Sequence, residues 1–135
     1  RTAFAGFDFN AIAEFGPDDV DRLLLDAGIV RHRGKIESTI NNARCLLELQ
    51  ANGGSLRSLT WDPVGGQPRI HHWNDLADVP AQTGLSTTLS EALKTLGFRF
   101  VGPTTVYAYL QAAGVVNDHL TTCFLHPDRQ RITDP

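Results

Sequence analysis

The sequence predicts an all-α fold, a helical bundle of about six helices joined by short loops. Three observations carry that reading. Apolar residues recur at helical spacing, most plainly Ile36, Ile40, Ala43 and Leu47, the stripe of a helix facing a core. Start and stop signals bracket such stripes: polar N-caps ahead of them and glycine or proline after them. Nothing in the chain asks for a β-sheet. The helical domain is expected over residues 1–126. A tail from Pro127 (PDRQRITDP) has no apolar period and is expected to fray.

Taken in order, residues 1–16 place Phe4, Phe7, Ile12 and Phe15 as core residues, with Asp8 as N-cap of a short helix. Asp18 is then expected to cap a second helix, whose Val20, Leu23, Leu24 and Ala27 share a face and which Gly28 closes. Ile29 to Gln50 is the longest helical segment. Arg31, His32, Arg33 and Lys35 crowd its beginning. Positive charge there opposes the helix dipole, so these residues either splay into solvent or have an anionic partner. Cys45 reads as a small buried filler. Ser55 to Trp61 forms a short helix, the Pro- and Gly-rich run 62–68 a loop, and Arg69 to Ala81 an irregular segment with one helical turn. In that segment the adjacent His71 and His72 point apart and are read as surface residues, and Trp73 as a cap on the core.

The stretch from Thr88 to Cys123 is the most informative. Thr88 with Glu91 three positions on reads as a capping box, and Leu89, Ala92, Leu93 and Leu96 as one buried face. Gly97 ends that helix, because a residue without Cβ takes the left-handed conformation at little cost. A second helix opens at Gly102-Pro103-Thr104-Thr105, with proline where a missing N–H loses nothing. An ordinary antiparallel helix pair satisfies this pattern. So does an anion site, since several amides converge at a positively polarised helix end.

Composition narrows the partners. A formal net charge of −3 argues against a broadly basic nucleic-acid coat, so a DNA contact would have to be local. The 31–35 cluster, and Lys94 with Arg99 beside the glycine turn, are the candidates. The two cysteines, Cys45 and Cys123, lack CxxC spacing and fit a reducing cytoplasm. No apolar run is long enough to span a bilayer. His119 and Cys123 stand four residues apart, an imidazole–thiol pair suited to zinc, though a structural zinc wants four ligands. His126 could add a third.

The run GFRFVGPTTVYAYLQAAGVVNDH resembles the 3-methyladenine DNA glycosylase I family, one branch of the helix-hairpin-helix DNA repair glycosylases. The likeness continues into LLLDAGIVRHRGKIESTINNAR at residues 23–44. The resemblance implies a base-excision repair hydrolase that releases 3-methyladenine from alkylated double-stranded DNA, acting as a monomer. It implies that Gly97, Arg99, Gly102, Thr104 and Thr105 form the DNA-binding hairpin.

A structural zinc is also implied, held in the family by a Cys–His pair near the N-terminus and by the NDHxxxC segment. His119 and Cys123 match the second pair, and the first has no counterpart in this sequence. The aromatic residues and the glutamate that read the flipped base likewise belong to the family's N-terminal segment. No catalytic residue is therefore assigned in this chain, and a segment preceding Arg1 is expected to be missing. Asp118 is expected to orient His119 or to cap a turn, not to act as a base. A DNA-gripping module without excision activity is the alternative.

Overall fold

A computed structural model describes residues 1–130. Seven α-helices account for half of it: α1 (Phe9–Ala13), α2 (Pro17–Leu25), α3 (Arg33–Ala51), α4 (Leu56–Trp61), α5 (Gly84–Thr95), α6 (Pro103–Ala112) and α7 (Pro127–Gln130). The all-α expectation holds, with one small exception. β1 (Arg69–Ile70) and β2 (Val116–Asn117) pair in parallel, Arg69 opposite Val116 and Ile70 opposite Asn117. Two residues per strand are too few to show alternation, which is why sequence reading passed over them. The tail expected to fray from Pro127 begins as the helical turn α7, and the rest of it lies outside the described residues.

The described residues form two compact units, residues 1–56 with 92–101, and residues 57–91 with 102–130. In the first unit, Ile12, Ala13, Val20, Leu23, Ile36, Ile40 and Ala43 make a single buried cluster, with Phe4, Phe9, Phe15 and Leu47 packed on it. Each large aliphatic side chain buried this way contributes about 1.5–3 kcal/mol. Asp8 caps α1, accepting from the amides of Asn10 and Ala11, and these bonds hold its carboxyl below the usual carboxylate range. Arg44 on α3 closes the far end of α1 by donating to the carbonyls of Ala13 (2.8 Å) and Phe15 (3.0 Å). Of the cationic residues crowding the start of α3, Arg33 has an anionic partner in Asp21 (2.9 Å). Arg31 and Lys35 splay into solvent.

Several expected details move. α2 starts at Pro17 with Gly16 rather than Asp18 as its N-cap, and the Gly16 amide donates to the Asp19 carboxylate (3.1 Å). It ends at Leu25 rather than Gly28, and Ala27 is exposed. Phe7 is no core residue: it stands 57% exposed and stacks on Phe4. α5 begins a full turn before Thr88. Thr83 caps it, its hydroxyl accepting from the Ser86 amide while Ser86 Oγ accepts from the Thr83 amide. The same Thr-x-x-polar signature thus occurs one turn earlier, and Gly84 is tolerated as the first helical residue, where backbone bonds are incomplete anyway. Leu96, past the end of α5, is 38% exposed rather than buried.

In the second unit Val106, Tyr107, Leu110, Val115 and Val116 are buried, but so are Thr60, Ser86, Ser90 and His126. No buried side-chain N or O among the described residues lacks a hydrogen-bond partner. No helix among them is long and apolar enough to cross a membrane.

Candidate functional site

The segment after α5 belongs to the first unit, and its conformation is set by α3. Gly97 has φ +84°, and a Cβ built there would lie 3.3 Å from the sulfur of Cys45. Glycine is required twice over, for the left-handed backbone and for the close approach. The Gly97 carbonyl accepts from Asn41 Nδ2 at 2.9 Å. Asn42 then grips the next backbone unit from both sides, Oδ1 accepting from the Arg99 amide (2.8 Å) and Nδ2 donating to the Arg99 carbonyl (2.9 Å). Arg99's N–H is thereby engaged, and only its side chain is available to a ligand. That side chain lines a cleft of about 390 Å³ together with Arg33, Arg44 and Glu37. Cys45 is the half-buried filler that was expected, its thiol pushed up by burial and by Glu48.

Sequence reasoning missed Phe100. It is half exposed, has φ +58°, and meets the ring of His32 edge-on at 6.1 Å. A bulky residue in the left-handed region is strained, and such strain gathers at functional turns. The flanking Arg99 and glycine signals could have drawn attention to it, but no spacing rule would have predicted its φ.

The start of α6 belongs to the second unit. Gly102 is its N-cap with φ −62° and ψ 158°, Pro103 is the first helical residue, and no side chain caps the end. The Gly102 carbonyl accepts from Val106. Thr104 and Thr105 are exposed, and their amides have no partner among the described residues. A Cβ at Gly102 would meet nothing within 4 Å, so the space above this helix end is open. Uncapped amides under open space are what an anion needs from a helix terminus.

The most elaborate polar cluster of the second unit surrounds Asp118. The β1–β2 pair brings the residues after β1 beside those after β2, with the His71 amide donating to the Asn117 carbonyl at 3.0 Å. The Asp118 carboxylate, 5% exposed, then accepts from His71 Nδ1 (2.7 Å) and Trp73 Nε1 (2.7 Å). α6 adds Tyr107 Oη (2.5 Å) and Gln111 Nε2 (2.8 Å), one turn apart on one face. Burial pushes this carboxyl up, but the bonds from Tyr107, Trp73, His71 and Gln111 outweigh it and hold the group below the usual carboxylate range. Tyr107 is pushed well above the ordinary phenol range by burial and then by its bond to Asp118.

With four donors on two oxygens, Asp118 has no capacity left to take a proton from a substrate. It is not a base, as expected, but neither does it orient His119: its donors are His71, Trp73, Tyr107 and Gln111. His71 is accordingly half-buried and bonded, not a surface residue. Trp73 does more than cap the core.

His119 and Cys123 lie outside any helix, yet come together, Nδ1 to Sγ 3.7 Å. His119 also lines a cleft of about 540 Å³ with Gln111, Asn117 and Asp118. His126 does not join the pair. Its ring is fully buried, Nε2 faces the His71 carbonyl (3.2 Å) and Nδ1 faces Asp128.

Compared with known proteins, residues 1–126 match the profile of a family described as methyladenine glycosylase. The chain is 43% identical to DNA-3-methyladenine glycosylase 1 of Escherichia coli (strain K12), a match covering 94% of this chain and 68% of that protein. It is 39% identical to a DNA-3-methyladenine glycosylase of Haemophilus influenzae, covering 91% and 66%. A crystal structure of a 3-methyladenine DNA glycosylase I superposes with a TM-score of 0.91 at 47% identity, over 94% of this chain and 70% of that one. The chain thus spans about two thirds of the length of these relatives.

Proposed function

This chain belongs to the methyladenine glycosylase family, and from that membership we propose that it acts in DNA repair, releasing 3-methyladenine from alkylated double-stranded DNA by hydrolysis of the N-glycosidic bond. Methylation leaves the adenine ring positively charged in the nucleotide, so the base departs readily with the electron pair of the C1′–N9 bond. Water adds to C1′ and loses a proton. The protein's main tasks are to extrude the base, recognise it and admit that water.

The observation that best supports DNA contact is the pair of uncapped amides at Thr104 and Thr105 beneath the open space over Gly102. They suit a backbone phosphate and would position the duplex without reading its sequence. Gly97 shapes the preceding turn, and Arg99 would contribute its guanidinium, since its amide is held by Asn42.

His119 and Cys123 would hold a structural zinc. Bond lengths of about 2.3 Å to sulfur and 2.0–2.1 Å to nitrogen put two tetrahedral ligands about 3.6 Å apart, close to the 3.7 Å separation here. Such an ion would supply a cross-link and no reaction step. Action as a monomer in the cytoplasm completes the proposal.

The test is release of free 3-methyladenine from alkylated duplex DNA by the purified chain. Release supports the proposal. Salt-dependent duplex binding without release would point instead to a DNA-gripping module.

A further inference from the structure

We propose that His72, His126 and Asp128 form a site for a first-row divalent cation, zinc foremost, separate from the His119–Cys123 pair. One atom from each residue, two imidazole nitrogens and a carboxylate oxygen, lies within 4.8 Å of the other two. His72 Nε2 is 3.1 Å from Asp128 Oδ2, and His126 Nδ1 is 3.7 Å from the same oxygen. Ligand atoms of a tetrahedral zinc site stand about 3.3–3.6 Å apart by the same bond lengths, so small side-chain rotations would bring the three onto one ion. Two imidazoles and a carboxylate suit zinc, and water would complete the shell.

The buried ring carries the argument further than proximity does. The Nε2 of His126 faces the His71 carbonyl at 3.2 Å, a group that can only accept. Nε2 must therefore hold a proton, and Nδ1, which accepts from a backbone amide, turns its lone pair toward the Asp128 carboxylate. Its one donor partner is the Asp128 amide at 3.3 Å, a long contact. A lone pair facing a carboxylate is an unfavourable arrangement that a cation between them would resolve.

A backbone carbonyl fixing the tautomer is also the usual outer support of a metal-bound histidine. Here that carbonyl belongs to a well-held residue, because His71 is bonded through its amide to Asn117 and through its ring to Asp118. His72 and Asp128 are both exposed, which leaves an open path for the ion. A bare His72–Asp128 surface pair would account for those two side chains but not for the approach of the His126 Nδ1 to the same carboxylate oxygen at 3.7 Å.

The experiment uses the full chain carrying His119→Ala and Cys123→Ser, which removes the thiolate pair. We expect equilibrium dialysis to retain one equivalent of zinc. Cobalt(II) should give a ligand-field spectrum without a thiolate charge-transfer band, and the His126 Nδ1 nitrogen resonance should shift on zinc addition. Adding His72→Ala or Asp128→Asn, both at exposed positions and checked for folding by circular dichroism, should weaken retention at least about tenfold, the lower bound even for outer-shell changes. No retained zinc would overturn the proposal. So would retention indifferent to His72 and Asp128, or a His126 ring that reads as a doubly protonated imidazolium unmoved by zinc.

Discussion

The two units are held together by different chemistry. Residues 1–56 with 92–101 enclose an aliphatic cluster around Ile36 and Leu23, and Ser38 is their one buried polar residue. The unit from Arg57 to Glu91 and from Gly102 onward buries Thr60, Ser86, Ser90 and His126, and centres its polar bonding on one carboxylate with four donors. An aliphatic cluster is forgiving of shape changes, because dispersion and burial are non-directional. A hydrogen-bonded hub is not, because each donor it holds would be left unpaired if the acceptor changed.

Asp118→Asn is the sharpest way to break that comparison. The amide keeps the shape but turns one acceptor oxygen into a donor against Tyr107, Trp73, Gln111 or His71. At about 1–3 kcal/mol per stranded buried donor, urea unfolding should show a loss of about 3 kcal/mol. The carboxyl's pKa is depressed by folding, so its contribution is present above the unfolded carboxylate value near about 3.9 and is lost as pH falls through the lower folded value. The Asn variant should lack that acid-side dependence.

Gly97→Ala in the apolar unit should cost about 1–2 kcal/mol for its left-handed backbone alone, with the Cys45 sulfur adding to it. Ile36→Leu, a change of shape at constant volume in the same unit, should cost under about 1.5 kcal/mol. If it costs as much as Asp118→Asn, the distinction between the units is wrong. Gly102→Val should leave stability nearly unchanged, since its backbone is extended and its Cβ meets open space. Duplex affinity should nevertheless fall, with little dependence on sequence, and the salt slope should shrink by about one charge. Unchanged affinity and slope in a titration would remove α6 as the phosphate site.

The same contrast decides what could be read in advance. The Ile36, Ile40 and Ala43 stripe, the Gly97 terminus and the Pro103 start were legible because each is a local rule about spacing or backbone freedom. The Asp118 hub was not. Its donors His71 and Trp73 sit 47 and 45 residues away, joined by a strand pair too short to have a period, so local sequence offered only an Asp beside a His. Thr88 is not the cap because Thr83 carries the same signature one turn earlier. Helical spacing singles out the His119–Cys123 pair although the segment is not helical; the turn from Leu120 to Cys123 returns the chain at a similar interval.

The grip of Asn42 on Arg99 also bears on chemical ageing. Deamidation would leave an aspartate that can still accept from the Arg99 amide, but it would set a carboxylate oxygen against the Arg99 carbonyl where an N–H now sits at 2.9 Å. One spontaneous loss of ammonia would thus unfasten the backbone just ahead of Phe100, while the aliphatic packing behind it stayed whole. Long-stored protein would then lose the shape of this turn before it lost its fold.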